Sequence, residues 1–432
     1  MTLRLRPILA LALVACLGLG GACEARSEAV HRQRLREALE HEARGEFEAA
    51  VVALNAALAH RPDYPRLYWR LACVQARLGH EAEARAALES LAALGVSLDP
   101  KSDRVLGALV ERPAFAPVTR RLAANAEPRG ECVRDATAAR TTVDGIIESL
   151  AWIAERGEWY LGEVQGRALL RVRPGATSPE TISSLPAHLG GIFAIRCAPD
   201  GRTLWATSSH GEQGDTPKEG RRPGVTGLVA FDLVGKTPPK VFSLPEDGEA
   251  HLLGDFARAE DGVFYVSDSL APCLWRLDPG ADALVPWIRS EEFVSLQGIV
   301  LSPDGRSLFV ADYGSGIWKI DRSSRNVTPV PAPAATTLFG IDGLYRHGDD
   351  LIAVQNGIQP ARILRLSLDR SGQLDRVTVI ASGLKEFEDL GLGEVRGGRF
   401  WVVGDSGWSN LGEKHGSYRR PLSLLSMALP QR

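Results

Sequence analysis

The chain carries two hydrophobic rhythms. From Gly157 to Asp405 one unit recurs six times: a Gly turn, a short apolar or aromatic run, then a polar residue. The copies are G-E-W-Y-L-G-E (Gly157–Glu163), G-R-T-L-W-A-T-S (Gly201–Ser208), G-V-F-Y-V-S-D (Gly262–Asp268), G-R-S-L-F-V-A-D (Gly305–Asp312), G-D-D-L-I-A-V-Q-N (Gly348–Asn356) and G-R-F-W-V-V-G-D (Gly398–Asp405). Their glycines step by 44, 61, 43, 43 and 50 residues. Four short strands need roughly 40–50 residues, the length of one propeller blade. The period therefore predicts an all-β, six-bladed β-propeller over 131–432. A polar insertion, Gly211–Gly224, accounts for the long step.

Each beat is flanked by further strand signals. Inner strands are expected at Ile147–Ile153, Gly191–Cys197, Gly254–Arg258, Gln297–Leu301, Ile341–Tyr345 and Asp389–Glu394, each running into its Gly turn. Third strands are expected at Leu169–Val172, Leu228–Asp232, Leu274–Leu277, Ile317–Ile320, Ile363–Leu368 and Leu422–Met427. Asp-Gly or Gly-Asp at 200–201, 261–262, 304–305 and 348–349 is hairpin chemistry. A propeller must close its ring or expose sheet edges, and 138–143 is the segment expected to complete the last blade.

Residues 28–126 follow the other rhythm. Residues 28–94 of them are rich in Ala, Leu, Glu and Arg, all good helix formers. Gly45-Glu46-Phe47-Glu48-Ala49-Ala50 and Gly79-His80-Glu81-Ala82-Glu83-Ala84 match in register 34 residues apart, Leu54 stands beside Leu88, and Pro62 follows the first copy. This segment resembles the tetratricopeptide repeat: small residues at a helix crossing, a Gly turn, a Pro after the second helix. Two copies are few, so the helical segments after Asp99-Pro100 and Pro113 are expected to finish the core. Such a unit offers either a groove for a protein partner or a cap packed on the propeller. Asn125–Gly130 is the expected domain boundary.

Composition narrows the class. A net charge of −3 and a pI near 6.3 give no electrostatic reason to expect nucleic acid. Arg4 and Arg6 precede an uncharged apolar run, Pro7–Ala22, of secretory length. Residues 1–23 are therefore expected to be a signal peptide. Leu13-Val14-Ala15-Cys16 and Leu19-Gly20-Gly21-Ala22-Cys23 both resemble bacterial lipoboxes, with a simple secretory cut near Ala22 or Ala25 as the alternative. Export, periplasmic or as a membrane-anchored lipoprotein, is the expectation, with membrane contact only through the lipid. In an oxidising compartment Cys73, Cys132, Cys197 and Cys273 allow three pairings, and Cys73 reads as a buried, inert thiol. The sequence contains no Ser nucleophile elbow, Walker loop or dinucleotide fingerprint.

Candidate chemistry lies on the inner strands. Aligned on their turns, the first channel-facing positions read Glu148, Phe193, Asp255, Gln297, Asp342 and Asp389. Converging carboxylates repel unless a cation or protons compensate. Hard oxygen donors suit Ca²⁺ or Mg²⁺, and the absence of a His/Cys cluster argues against zinc or copper. Without a cation, the same side chains would simply bond strand ends and water.

Over about 144–430 the chain resembles the SMP-30/gluconolactonase group of six-bladed propellers. Glu148-Ser149-Leu150-Ala151-Trp152 keeps the Glu and Trp of that group's Glu-Gly-Pro-x-Trp and loses its Gly-Pro. Gln297-Gly298 followed by Ser302-Pro303-Asp304-Gly305 stands where Asn-Gly and Ser-Pro-Asp-Gly are usual, and Ile341-Asp342-Gly343 where Pro-Asp-Gly is. The resemblance implies a divalent cation, Ca²⁺ by preference, held by Glu148, Gln297 and Asp342 and polarising a lactone or ester carbonyl of a small molecule. Gln in place of Asn lengthens one ligand by a methylene. Asp255 falls at the group's substrate-side position. Asp255 or Asp389 would serve as general base, with His251 and His210 as lesser candidates. The alternative is a non-catalytic envelope scaffold or ligand-binding propeller with a partner at the helical repeats.

Overall fold

The computed structural model describes residues 27–184, 190–210, 225–235, 237–410 and 419–430. The apolar N-terminus with Cys16 and Cys23, and the Gly211–Gly224 insertion, lie outside the described residues.

The helical unit is built from α1 (Ser27–Ala43), α2 (Phe47–His60), α3 (Pro65–Arg77), α4 (Glu81–Ala93), α5 (Arg104–Val110) and α6 (Ala116–Ala126). Gly45, Gly79 and Gly95 end α1, α3 and α4 at φ of 74°, 75° and 71°, a backbone that L side chains resist. Its core is mostly Ala and Leu. Ala38, Ala50, Ala57, Ala72 and Ala84 are fully buried, so backbones approach closely, and the paired Leu54 and Leu88 are both 0% exposed. Asp103 caps α5, accepting from Val105 N and Leu106 N at 3.0 Å.

Six four-stranded antiparallel sheets follow, each a blade. Blades 1 to 5 run from inner to outer strand in chain order, with inner strands Ile147–Ile153, Gly191–Cys197, Leu253–Arg258, Leu296–Leu301 and Ile341–His347. Blade 6 is completed from outside its own run. Its inner strand is Gly393–Arg396, and its fourth strand is Val133–Arg134, hydrogen-bonded to Leu424–Ala428. Closure by the N-terminal side was expected, but not from 138–143. Ala138–Arg140 is a 3₁₀ turn, and Thr142–Val143 makes a separate two-stranded pair with Arg420–Pro421. Asp135 explains the shift: its carboxylate accepts from Thr137 N and Ala138 N, which turns the chain before an outer strand could continue.

In blades 3 and 4 the polar residue closing the beat is a structural clip. Asp268 accepts from the backbone N–H of Leu252, Leu270 and Ala271 and from Trp275 Nε1. Asp312 does the same for Val294, Ser295, Gly314 and Trp318 Nε1. In blade 5 a buried Gln355 donates to the carbonyls of Thr337 and Phe339. Each ties the loop after the second strand to the loop that enters the inner strand. The rim at that end of the channel, here called upper, is thereby held rigid.

The helical unit docks on this rim over blades 4 and 5. Tyr64 stacks on Phe339 with centroids 4.0 Å apart and Arg61 covers the same ring. Ser97 N donates to Gln359 O at 2.7 Å, and Ile358 of blade 5 is buried in the helical core. The four described cysteines are all free thiols. Burial pushes Cys73 and Cys273 up to about 12, so neither is reactive near neutral pH.

Candidate functional site

The inner strands do not enter the channel straight. In blades 1 to 5 the register slips at the first residues, between 147 and 149, 192 and 195, 253 and 256, 296 and 299, and 341 and 343. A bulge turns the side chain at that place away from the blade and toward the axis. Glu148, Phe193, Asp255, Gln297 and Asp342 consequently line one small upper cavity, with Tyr313 and Trp408 at its wall. Blade 6 departs from the expected ring: Leu392 lines the cavity there, three residues on from Asp389. Asp389 instead forms a backbone bridge with Asp405 and accepts from Ser409 N at 2.9 Å, on the rim outside that lining.

The three proposed ligands are oriented by donors behind them. Trp408 Nε1 donates to Glu148 Oε2, and Asn356 Nδ2 donates to Asp342 Oδ2 at 2.6 Å and to Leu390 O at 2.9 Å. Ser269 Oγ donates to Gln297 Oε1 at 3.1 Å, and Gln297 Nε2 donates to Ser295 Oγ at 3.2 Å. Glu148 and Asp342 are each 5% exposed. Two carboxylates and an amide oxygen, each fixed by an outer donor, form a hard donor set that fits Ca²⁺ or Mg²⁺. Asn356 and Trp408 were not singled out from the sequence, although Asn356 is the polar end of its own beat.

Asp255 is different in kind. It is 1% exposed and both oxygens face Arg196 Nη2, at 2.6 and 2.5 Å, with Phe256 N donating at 2.8 Å. Burial pushes its pKa up, and the guanidinium and backbone donors oppose that. It is an ion-paired wall of the cavity, not a carboxylate with free oxygens. The cavity measures about 20 Å³, room for one water or a bare cation at roughly 10–15 Å³ per water.

The histidines lie elsewhere. His251 is held between Asp268 Oδ2 at 2.7 Å and Asp247 Oδ1 at 2.9 Å. Burial disfavours its charge, but the two carboxylates win and raise it to about 9, so it is a cation and no general base at neutral pH. Asp247, Glu249 and His251 bring ligand-type atoms within 4.8 Å of one another, the group of that kind found among the described residues. Arg289 already bridges both carboxylates, at 3.2 and 2.9 Å. His210 is half-buried at the end of its strand and outside the cavity lining.

At the lower end, where the inner strands finish, a basin of about 800 Å³ opens between Arg196, Arg258, Arg346 and Glu394. Burial pushes Glu394 up to about 7, with Trp152 N donating to its Oε2.

Fold and site together define a helical-repeat unit fused to a six-bladed β-propeller with an acidic upper channel. The tetratricopeptide (TPR) repeat family matches residues 38–79, the end of α1 and all of α2 and α3. No curated protein matches the chain. Among solved structures the chain is similar to the PQQ-bound aldose sugar dehydrogenase of Streptomyces coelicolor, at 13% identity over 70% of this chain and 99% of that one, TM-score 0.46. It is similar to virginiamycin B lyase from Staphylococcus aureus at 12% identity, over 69% and 100% of the two chains, TM-score 0.43. A Bacteroides thetaiotaomicron protein of unknown function is similar at 11% identity, over 69% and 76%, TM-score 0.49. Identities this low carry no activity across.

Proposed function

We propose that the upper channel mouth is a divalent-cation site and that the propeller hydrolyses a small lactone or ester there, in the manner of the SMP-30/gluconolactonase group its motifs resemble. One observation carries this reading. Glu148, Gln297 and Asp342, from three different blades, line a single cation-sized cavity, two of them braced by side-chain donors that do not themselves ligate. A cation bound there would act as a Lewis acid on a carbonyl. Glu148, Gln297 and Asp342 would hold it, and Asn356 and Trp408 would keep the two carboxylates aimed. The cavity is too small for the substrate itself, which would sit above it with only its carbonyl oxygen directed inward. The reading draws no support from a family match, since the match is confined to the helical repeats.

A second reading, a ligand-binding propeller without turnover, draws on Asp255 and Asp389. The first is committed to Arg196 and the second lies outside the cavity lining, so neither expected base stands over the site. Export, with lipidation at Cys23 or Cys16, and a protein partner for the helical repeats belong to the same proposal; the N-terminal arginines and apolar run support the first.

Calorimetric titration of Ca²⁺ into chelator-treated protein tests both. One-site binding lost in Asp342→Ala and kept in Asp389→Ala is the expected result, followed by lactone or ester hydrolysis that needs the ion. Binding without hydrolysis of any lactone or ester would favour the second reading. No binding by the wild type would overturn the cation site.

A further inference from the structure

A second cavity, of about 180 Å³, lies between the helical unit and blade 5. Gly95 and Asn125 close it from the helical side, and Thr337, Arg362, Val379 and Ser382 from the propeller. Arg129, in the linker, reaches it as well. Its size is below that of drug-sized pockets, which start near 300 Å³, and well above the roughly 10–15 Å³ one water needs. It suits a small polyatomic ion.

Its charge is unbalanced. Arg362 is 7% exposed, yet its hydrogen bonds go to neutral groups: Nε to Gln355 Oε1 at 2.7 Å and Nη1 to Gly95 O at 3.4 Å. Gln355 cannot compensate the charge, because its amide is already spent on the Thr337 and Phe339 carbonyls. Among the described residues no carboxylate pairs with Arg362 or with Arg129. Burial, with the neighbouring Arg129 acting in the same direction, lowers the Arg362 pKa to about 10. A buried cation without a counter-charge is costly, and a second guanidinium facing it adds repulsion. Arg420, another buried arginine of the propeller at 3% exposure, shows the usual arrangement, with Asp405 Oδ2 at 3.2 Å from its Nε.

We propose that this cavity binds a small oxyanion, phosphate in size and charge, between Arg362 and Arg129. Guanidinium forks match phosphate and carboxylate oxygens with paired N–H donors, and the Thr337 hydroxyl adds polar lining. Because helices and propeller both wall the cavity, the anion fastens the two domains. It acts as an inter-domain clasp, independent of the channel mouth and of any activity there. By linkage, a ligand that needs the docked arrangement stabilises it.

The test is titration of inorganic phosphate, with sulfate and succinate beside it, into purified protein at constant ionic strength set by chloride. Binding is read by calorimetry and thermal unfolding. One-site binding of at least one of the three is expected, with a higher unfolding temperature. Arg129→Ala should weaken it at least tenfold and Arg362→Gln should abolish it. Arg129→Glu, which supplies the missing carboxylate from within, should raise the unfolding temperature and remove its dependence on the anion. If Arg362→Gln fails to fold, the exposed Arg129 carries the test with its two variants. Absence of saturable binding by all three anions would overturn the proposal, as would unchanged binding in Arg129→Ala.

Discussion

Removing Arg196 should damage the propeller more than removing the charge of its partner Asp255. The Arg196 side chain is 30% exposed to the lower basin and lies over Tyr345 and Phe256, whereas the Asp255 side chain is 1% exposed. In Asp255→Asn the guanidinium loses a charged acceptor but keeps Phe256 O at 3.1 Å and water. A cost of about 1.5–3 kcal/mol follows, that of one hydrogen bond to a charged group. In Arg196→Met the carboxylate stays buried with only the backbone N–H groups of Phe256 and Ile299. Leaving a buried charge without its partner costs about 3–5 kcal/mol. That larger cost should depend on pH. The Asp255 pKa is already raised by burial, and losing Arg196 raises it further. A carboxyl with a raised folded-state pKa binds its proton more readily folded than unfolded, so stability is gained as pH falls through that value. The Arg196→Met deficit should therefore shrink between pH 7 and pH 5. Urea unfolding followed by tryptophan fluorescence reads this directly, since eight of the nine tryptophans, all but Trp69, lie in the propeller. Equal costs for the two variants, or a deficit independent of pH, would refute the reasoning.

Three other perturbations probe the frame around the site. Tyr64→Ala removes the ring stacked on Phe339 and should cost about 0.5–1.5 kcal/mol beyond lost area, splitting helical and propeller unfolding in a calorimetric scan; a single unshifted transition would contradict the docking. His251 has a folded pKa of about 9, above its unfolded value near 6.5, so its stabilisation is complete below pH 6.5 and lost as pH rises to 9. With Asp247 facing solvent, this is worth about 1–2 kcal/mol, and His251→Gln should flatten wild-type stability over that window; an unchanged pH slope in the variant would count against it. Gly298→Ala would place a Cβ 2.4 Å from Leu344 N and 2.7 Å from Gly343 C, where inner strands of blades 4 and 5 converge. It should cost about 1–3 kcal/mol, measured by urea midpoint, and a midpoint equal to wild type would show that the strands can part.

Much of the architecture is local and therefore legible in the chain. Turn glycines, apolar runs and their period are properties of a few neighbouring residues, and they set six blades and the helical repeats before any long-range contact forms. Gly191–Cys197 and Ile147–Ile153 are inner strands because β-branched and aromatic residues run between turn residues. Glu148, Gln297 and Asp342 were legible for the same reason: they open inner strands. What the chain alone left open depends on residues far apart in sequence. Leu392, not Asp389, completes the cavity lining because the blade-6 strand begins later than its turn spacing implies. Asp255 is spent on Arg196, 59 residues away, and no spacing announces that pairing. The closing strand is Val133–Arg134 because ring closure, a contact across 293 residues between Val133 and Ser426, chose among several short candidates. Asp268 and Asp312, the polar ends of their beats, became clips for rim loops once folding brought backbone N–H groups to them. Charge balance is likewise a tertiary property: only the packed structure sets Arg362 and Arg129 around one cavity without a carboxylate between them.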